Sequence, residues 1–420
     1  MERKKYILIV IITPLVLVAL GVGVYLFFHN GNPIPQIARV FFPQDVPANT
    51  PVDTNEPVGF SNDMTVFEEI NDGGEPLALH KVSSSPVAGA VIVESGANTF
   101  VRYLERETGH IFDAPTTTFV PVRITNTTIP RIRNSVWTTD GLHVAIQYLD
   151  ENLETIETFL GSVPVGNSSS DGELQGTFLP ENTTSIATNK TGTEFAYVGQ
   201  HQTGSQGVRI TPTGATIANV FSSPLSEWKI FYGKDSSISL LSKPSAYISG
   251  FLYKINKGAV FDRLLGGIPG LTTLENADGT YVAFSRSEGN GVIFSILDEK
   301  QSLVFETPLA TFPEKCVWQT DNTAILYCLV PHTIPSGPYP DMWYQGLVSF
   351  NDVLWKIDAQ KETYTKLVDL STATKEEIDG VSLSISSDNT TLIFSNKKDS
   401  SLWSLALPPS PNTELDTSVR

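Results

Sequence analysis

A short pattern recurs along this chain at a nearly fixed spacing, and it constrains the fold more than any other feature. A turn pair is followed by apolar residues four and six positions after its first member. The clear copies are Asp140-Gly141 with Val144 and Ile146, Thr191-Gly192 with Phe195 and Tyr197, Asp278-Gly279 with Val282 and Phe284, Asp321-Asn322 with Ile325 and Tyr327, and Asp388-Asn389 with Leu392 and Phe394. Ala97-Asn98 with Val101 and Tyr103, and Lys234-Asp235 with Ile238 and Leu240, keep the same offsets. The intervals between first members are 43, 51, 43, 44, 43 and 67 residues. Apolar residues alternating at period two after an Asp-Gly or Asp-Asn turn mark a β-hairpin with one face buried. Trp137, Phe231, Trp318 and Ile385 stand three positions ahead of their turns, on the preceding strand, and 353–358 (VLWKID) and 401–407 (SLWSLAL) read as third strands. A several-stranded unit repeated about every 43 residues is the size of a propeller blade.

The repeats SVWTTDGLHVAIQY, ENADGTYVAFSR and LSISSDNTTLIFSN resemble the TolB-type, WD-like β-propeller repeat, over roughly residues 76–407. The resemblance implies an all-β fold, a seven-bladed β-propeller, with the propeller domain at 64–407 and a disordered tail at 408–420. It carries no specific function, because the Gly-His and Trp-Asp pairing of true WD repeats is absent. The propeller half of membrane-anchored prolyl peptidases is similar in outline. Pro408, Pro409 and Pro411 stop the last copy after its third strand, and an open ring would leave an exposed strand edge. Residues 64–70 (MTVFEEI) are therefore expected to supply the missing outer strand, so that the two ends of the domain share a blade.

Ahead of the repeats, Tyr6 to Phe28 is an uncharged run of 23 residues, long enough to cross a hydrocarbon core of about 30 Å. It is longer than a signal-peptide core and ends in Tyr25, Leu26, Phe27 and Phe28, a poor cleavage site. It reads as an uncleaved signal anchor that partners the membrane. Residues 1–5 form a basic flank (Arg3, Lys4, Lys5), and the next Lys or Arg is Arg39, so the positive-inside rule keeps the N-terminus in the cytoplasm and places the propeller outside it, at the cell surface or in the periplasm. Residues 29–63 hold Pro33, Pro35, Pro43, Pro47, Pro51 and Pro57, the composition of an extended, semi-rigid stalk.

The formal charge of −17 argues against a nucleic-acid partner, because a phosphate backbone is bound by clustered cations. The 6 histidines include no His-x-His or His-Glu-x-x-His, no Gly-x-Ser-x-Gly elbow occurs, and no phosphate-binding loop is present. Neither a metal site nor a cofactor is expected. Asp140, Asp278, Asp321 and Asp388 are turn residues whose side chains cap local backbone. Cys316 and Cys328 lie six positions to either side of Asn322; in a hairpin about that turn they face each other within disulfide reach, and export favours oxidation.

Two intervals depart from the period. The 51-residue interval holds a polar loop, 167–172. The 67-residue interval has its surplus at 331–352 (PHTIPSGPYPDMWYQGLVSFND), between a second and a third strand and hence on the face of the interblade loops. Tyr339, Asp341, Trp343, Tyr344 and Gln345 are its candidate binding residues, since aromatic and amide side chains stack on sugars or anchor a partner protein. Alternatively, Trp343 and Tyr344 fold back over a blade edge. The 264–271 segment (LLGGIPGL) is a neighbour on the same face. The expected function is that of a non-catalytic binding module for a protein or glycan of the cell envelope. The second reading is a hydrolase acting on glycans through carboxylates gathered at the central channel, which requires two or more inward acids with raised pKa values in one polar pocket.

Overall fold

The computed structural model describes residues 67–69, 77–96, 98–153, 155–164, 172–256, 258–321 and 324–408. The expected membrane span, stalk and C-terminal tail, and most of the 167–172 loop, lie outside them.

The five turn pairs that lie wholly within the described residues sit where the hairpin chemistry puts them, between the first and second strands of their sheets. At three of them the turn is fixed by an aspartate and a left-handed residue. Asp140 Oδ1 accepts from the Leu142 amide at 2.9 Å, Asp278 Oδ1 from Thr280 at 3.0 Å and Asp388 Oδ1 from Thr390 at 3.0 Å. Gly141, Gly279 and Asn389 supply φ values of 66°, 68° and 59°, which glycine and asparagine adopt most cheaply.

Each sheet is built on antiparallel strands counted outward from the axis, four in sequence order in blades 1 to 6 and three in blade 7 before an N-terminal strand joins it, with innermost strands Val87–Ser95, Ile132–Trp137, Thr183–Thr188, Trp228–Tyr232, Thr272–Glu275, Cys316–Trp318 and Gly380–Ile385 for blades 1 to 7. A sheet of this kind has two apolar faces and no way to bury either alone. Accordingly the core is divided into seven clusters, each shared by two successive blades. Trp137 and Val144 of blade 2 pack on Val93 and Leu104 of blade 1; Trp228 and Leu240 of blade 4 pack on Val198 and Phe221 of blade 3. The seventh cluster joins Leu402 and Ile393 of blade 7 to Val101 and Tyr103 of blade 1, closing the ring. The protein is a seven-bladed β-propeller.

Closure uses an N-terminal strand, but not the expected one. Residues 64–70 do not complete the last blade. Phe67–Glu69 (β1) pairs in parallel with Thr363–Asp369 at the outer edge of blade 6, whereas Leu79–Ser83 (β2) pairs antiparallel with Leu402–Ala406 as the fourth strand of blade 7. The backbone reason is distance: Val87, the start of blade 1, donates to Ser400 O at 2.8 Å in blade 7. The chain just before Val87 is thus already held against that blade.

Cys316 and Cys328 are directly opposed in the first hairpin of blade 6, as are Trp318 and Leu326, and the cysteines form a disulfide across 12 positions. Cross-linking a loop of that length is worth about 3 kcal/mol in the chain-entropy model. Reduction, or the C316S/C328S double substitution, should lower the urea-unfolding free energy by about 2–4 kcal/mol with the folded circular-dichroism spectrum retained.

Candidate functional site

The insertion at 331–352 leaves the second strand of blade 6 (Ile325–Pro331) and returns as the third (Asp352–Asp358), which puts it on the face of the interblade loops. It contains one helical turn, Asp341–Tyr344 (α1), and folds inward over the ring. Tyr339 and Trp343 are buried, packed with Val292 and Phe312 of the blade 5 side and with Phe350. The Trp343 indole stacks on Phe312 with centroids 4.8 Å apart and planes 13° apart. At about 25 cal/mol per Å², burying a ring of this size is worth roughly 4–6 kcal/mol before entropy, so the aromatic run forms the insertion's own core.

Beneath that core lies a fully buried charge cluster. The Lys315 ammonium sits 2.7 Å from Asp352 Oδ2 and 2.6 Å from Asp379 Oδ1, with no exposure of any of the three side chains, and donates to Gly380 O at 2.9 Å. Asp379 Oδ2 accepts from the Trp343 indole at 3.0 Å, from Ser349 Oγ at 3.2 Å and from the Phe350 amide at 3.2 Å. Lys397 of blade 7 donates to Trp343 O at 2.8 Å, and the ammoniums of Lys315 and Lys397 lie 5.3 and 5.4 Å from the indole centroid. A buried ion cluster adds little net stability against an apolar replacement, but it admits one geometry. Here that geometry fixes Trp343, and with it the cap.

Asp341 ties the cap to blade 4. Its Oδ1 accepts from Ser245 Oγ at 3.0 Å and its Oδ2 from the Ala246 amide at 2.7 Å. Gly270, from the 264–271 segment, lies against the insertion: a Cβ there would stand 2.7 Å from Tyr339 O and 2.2 Å from Ser287 Oγ. No larger residue fits, so this glycine serves close packing of the cap. Tyr344 is exposed on its outer side; its hydroxyl bonds the Glu314 carboxylate and lies 3.3 Å from Lys229 Nζ, which also stands 5.0 Å over its ring. Burial of the hydroxyl and the Glu314 charge push the Tyr344 phenol well above its ordinary pKa, keeping it a neutral donor.

The five candidate residues therefore divide. Tyr339 and Trp343 are interior and cannot offer their rings to a ligand. Asp341 is half-buried in a structural contact. Tyr344 and Gln345 face solvent, and the structure adds neighbours that the aromatic-loop signal missed: Leu347 is 67% exposed, and Tyr247 and Ile248, on the blade 4 loop held by Asp341, are 77% and 66% exposed. Exposed apolar side chains at the tips of two separate loops give no periodic signal, which is why only one loop was singled out.

On the opposite face the ring is crossed by turn residues. Lys190 of blade 3 donates to Thr320 O of blade 6 at 3.0 Å, and Thr320 N donates to Asn389 Oδ1 of blade 7 at 3.0 Å.

The inward acid pair that a hydrolase would need has its nearest counterpart in Asp352 and Asp379, but both side chains are fully buried beneath the cap, sealed from any glycan. Burial, with the Asp379 charge nearby and against the pull of Lys315, pushes Asp352 up to about 6, and its Oδ1 is buried without a partner, where a proton resides best. Glu275 is also raised, by burial; it accepts from Ser239 Oγ at 2.6 Å, and its neighbour Glu299 pairs with Lys254. Among the described residues no group of histidines, cysteines and acids is arranged to hold a metal ion. No protein-family model and no curated protein matches the chain.

The Asp352 shift has a defined sign. The native state holds a proton that the unfolded chain, near pKa 4, releases earlier. This group's contribution is full below about pH 4 and is lost as pH rises through about 6, a change of roughly 3 kcal/mol. Asp352→Asn, which cannot ionise, should gain that amount over the wild type between pH 4 and pH 7 in urea titrations; a difference constant with pH would show that Asp352 does not titrate in this way.

Proposed function

We propose that this protein is a membrane-tethered, extracytoplasmic β-propeller of the TolB-type, WD-like kind, acting as a non-catalytic binding module for a protein or glycan of the cell envelope. The run at 6–28 is its membrane anchor and residues 29–63 its stalk. The observation that carries the reading is the construction of the cap. A buried ion cluster, a stacked aromatic core and the Asp341 contact hold one loop rigidly over the ring, and that loop presents Tyr344, Gln345 and Leu347 beside Tyr247 and Ile248. A preorganised platform of aromatic and aliphatic side chains loses little conformational entropy on binding, and aromatic residues dominate recognition energetics. Glu314 and Lys229 hold Tyr344, which is 38% exposed, in one orientation at the edge of the platform.

The test uses purified full-length protein and isolated cell envelopes. The Y247A/Q345A/L347S variant leaves the Tyr344 contacts with Glu314 and Lys229 in place and changes only outward-facing groups, so its melting temperature should match the wild type, while capture should weaken at least about tenfold, the loss of one aromatic anchor. Undiminished capture would remove the rim from consideration.

A further inference from the structure

The buried cluster beneath the cap places an amine against two carboxyl groups with no water between them. All three side chains are fully buried, and each is set by a different backbone element. Lys315 ends the 3₁₀ turn Pro313–Lys315 that leads into the innermost strand of blade 6. Asp352 opens the third strand of that blade, its amide donating to Ile378 O at 3.0 Å. Asp379 stands just before the innermost strand of blade 7, its amide donating to Asn396 Oδ1 at 3.0 Å. Lys315 Nζ lies 2.7 Å from Asp352 Oδ2 and 2.6 Å from Asp379 Oδ1. The rings of Trp343 and Phe350 wall the site, their centroids 5.3 and 5.6 Å from that nitrogen.

The two carboxyls are not equivalent. Asp379 has donors on both oxygens, from Lys315, the Trp343 indole, Ser349 and the Phe350 amide, which stabilise its negative charge. Asp352 Oδ2 accepts from the Gly380 amide at 2.6 Å, but its Oδ1 is buried with no donor. An oxygen so placed carries charge at high cost, and burial pushes the Asp352 pKa up to about 6. Asp352 is thus the carboxyl that becomes a neutral acid, and Asp379 the one that takes up a proton from its neighbour.

We propose that the Lys315 amine condenses with the Asp352 carboxyl to form an intramolecular amide, with Asp379 carrying the protons. Lys315 passes one ammonium proton to Asp379 Oδ1, and the freed lone pair attacks Asp352 Cγ. The Nζ–Cγ bond forms as a Cγ–Oδ2 electron pair moves onto Oδ2, where the Gly380 N–H faces the developing charge. Asp379 gives its proton to Oδ1 and takes another from the nitrogen; the Cγ–Oδ1 bond breaks and water leaves. An ammonium, a neutral acid and a carboxylate become an amide, water and a neutral Asp379, with no change of net charge and nothing oxidised or reduced. Groups held this way react with effective molarities on the order of 10⁵–10⁸ M, and the product removes charges that are costly to bury. With the Cys316–Cys328 disulfide, the bond ties the first three strands of blade 6 together at the base of the cap. It does not depend on what the rim binds. A condensed Asp352 has no carboxyl to titrate, so the pH dependence described above belongs to chains that have not reacted.

The test is a peptide mass map of the full-length protein, reduced, unfolded in urea and digested with trypsin. Within 301–356 the only Lys or Arg residues are Lys315 and Lys356. An unreacted chain yields 301–315 and 316–356 at their sequence masses. The condensed chain should instead yield one peptide, 301–356, lighter by a water, about 18 Da, because trypsin does not cleave after a lysine whose amine is acylated. That peptide should give no backbone fragments between 315 and 352, which distinguishes the cross-link from a dehydrated aspartate. Asp379→Asn, checked for folding by circular dichroism, should lower the condensed fraction at least about tenfold. Cleavage after Lys315 with unmodified masses in the wild type overturns the proposal on its own, however the variant behaves. A condensed fraction unchanged in folded D379N would overturn the role given to Asp379.

Discussion

Everything in this molecule depends on the inability of a four-stranded sheet to bury both of its faces. Each blade exposes apolar side chains on two sides, and the ring solves this by giving every side a neighbour. The core is consequently a circle of seven interfaces rather than one central mass. Such a core tolerates a long chain, because each interface is small and built from the same elements. It also sets a condition at the seam: one blade must be completed by two distant pieces of chain, or an edge and a face remain open to water.

The cap is a second solution to the same problem of fixing position. Hydrophobic burial alone would hold the 331–352 insertion against the ring, but apolar contact is non-directional. The Lys315, Asp352 and Asp379 cluster supplies direction, since the carboxylate of Asp379 is shared between a lysine, the Trp343 indole and the Phe350 amide. The desolvation of three charges is offset by their mutual contacts, and the gain is a loop held in one place. The outward side of that loop is then a surface whose geometry is settled before any ligand arrives.

Much of the fold was legible because its determinants are local. A turn pair with apolar residues at fixed offsets specifies a hairpin, and repetition of the hairpin specifies the architecture. The Cys316 and Cys328 register followed from the centre of one turn. What escaped was non-local. Residues 64–70 hold four apolar side chains, Met64, Val66, Phe67 and Ile70, while the strand that closes the ring is short and contains a register irregularity between Lys81 and Ser83. The buried cluster joins residues up to 64 positions apart, and nothing around Lys315 marks it as a lysine without solvent. The aromatic insertion gave a signal that two fates shared, and only packing distinguishes Trp343, which is inside, from Tyr344, which is not.

The central claim is the closed ring, and its seam is the place to test it. His80 and Ser404 are paired across the strands that join the two ends of the propeller. Cysteines at both positions, in the full-length protein under oxidising conditions, should form a cross-link detectable by a mobility shift that reductant reverses. A pair that stays reduced while Cys316 and Cys328 remain bonded would contradict closure by residues 79–83.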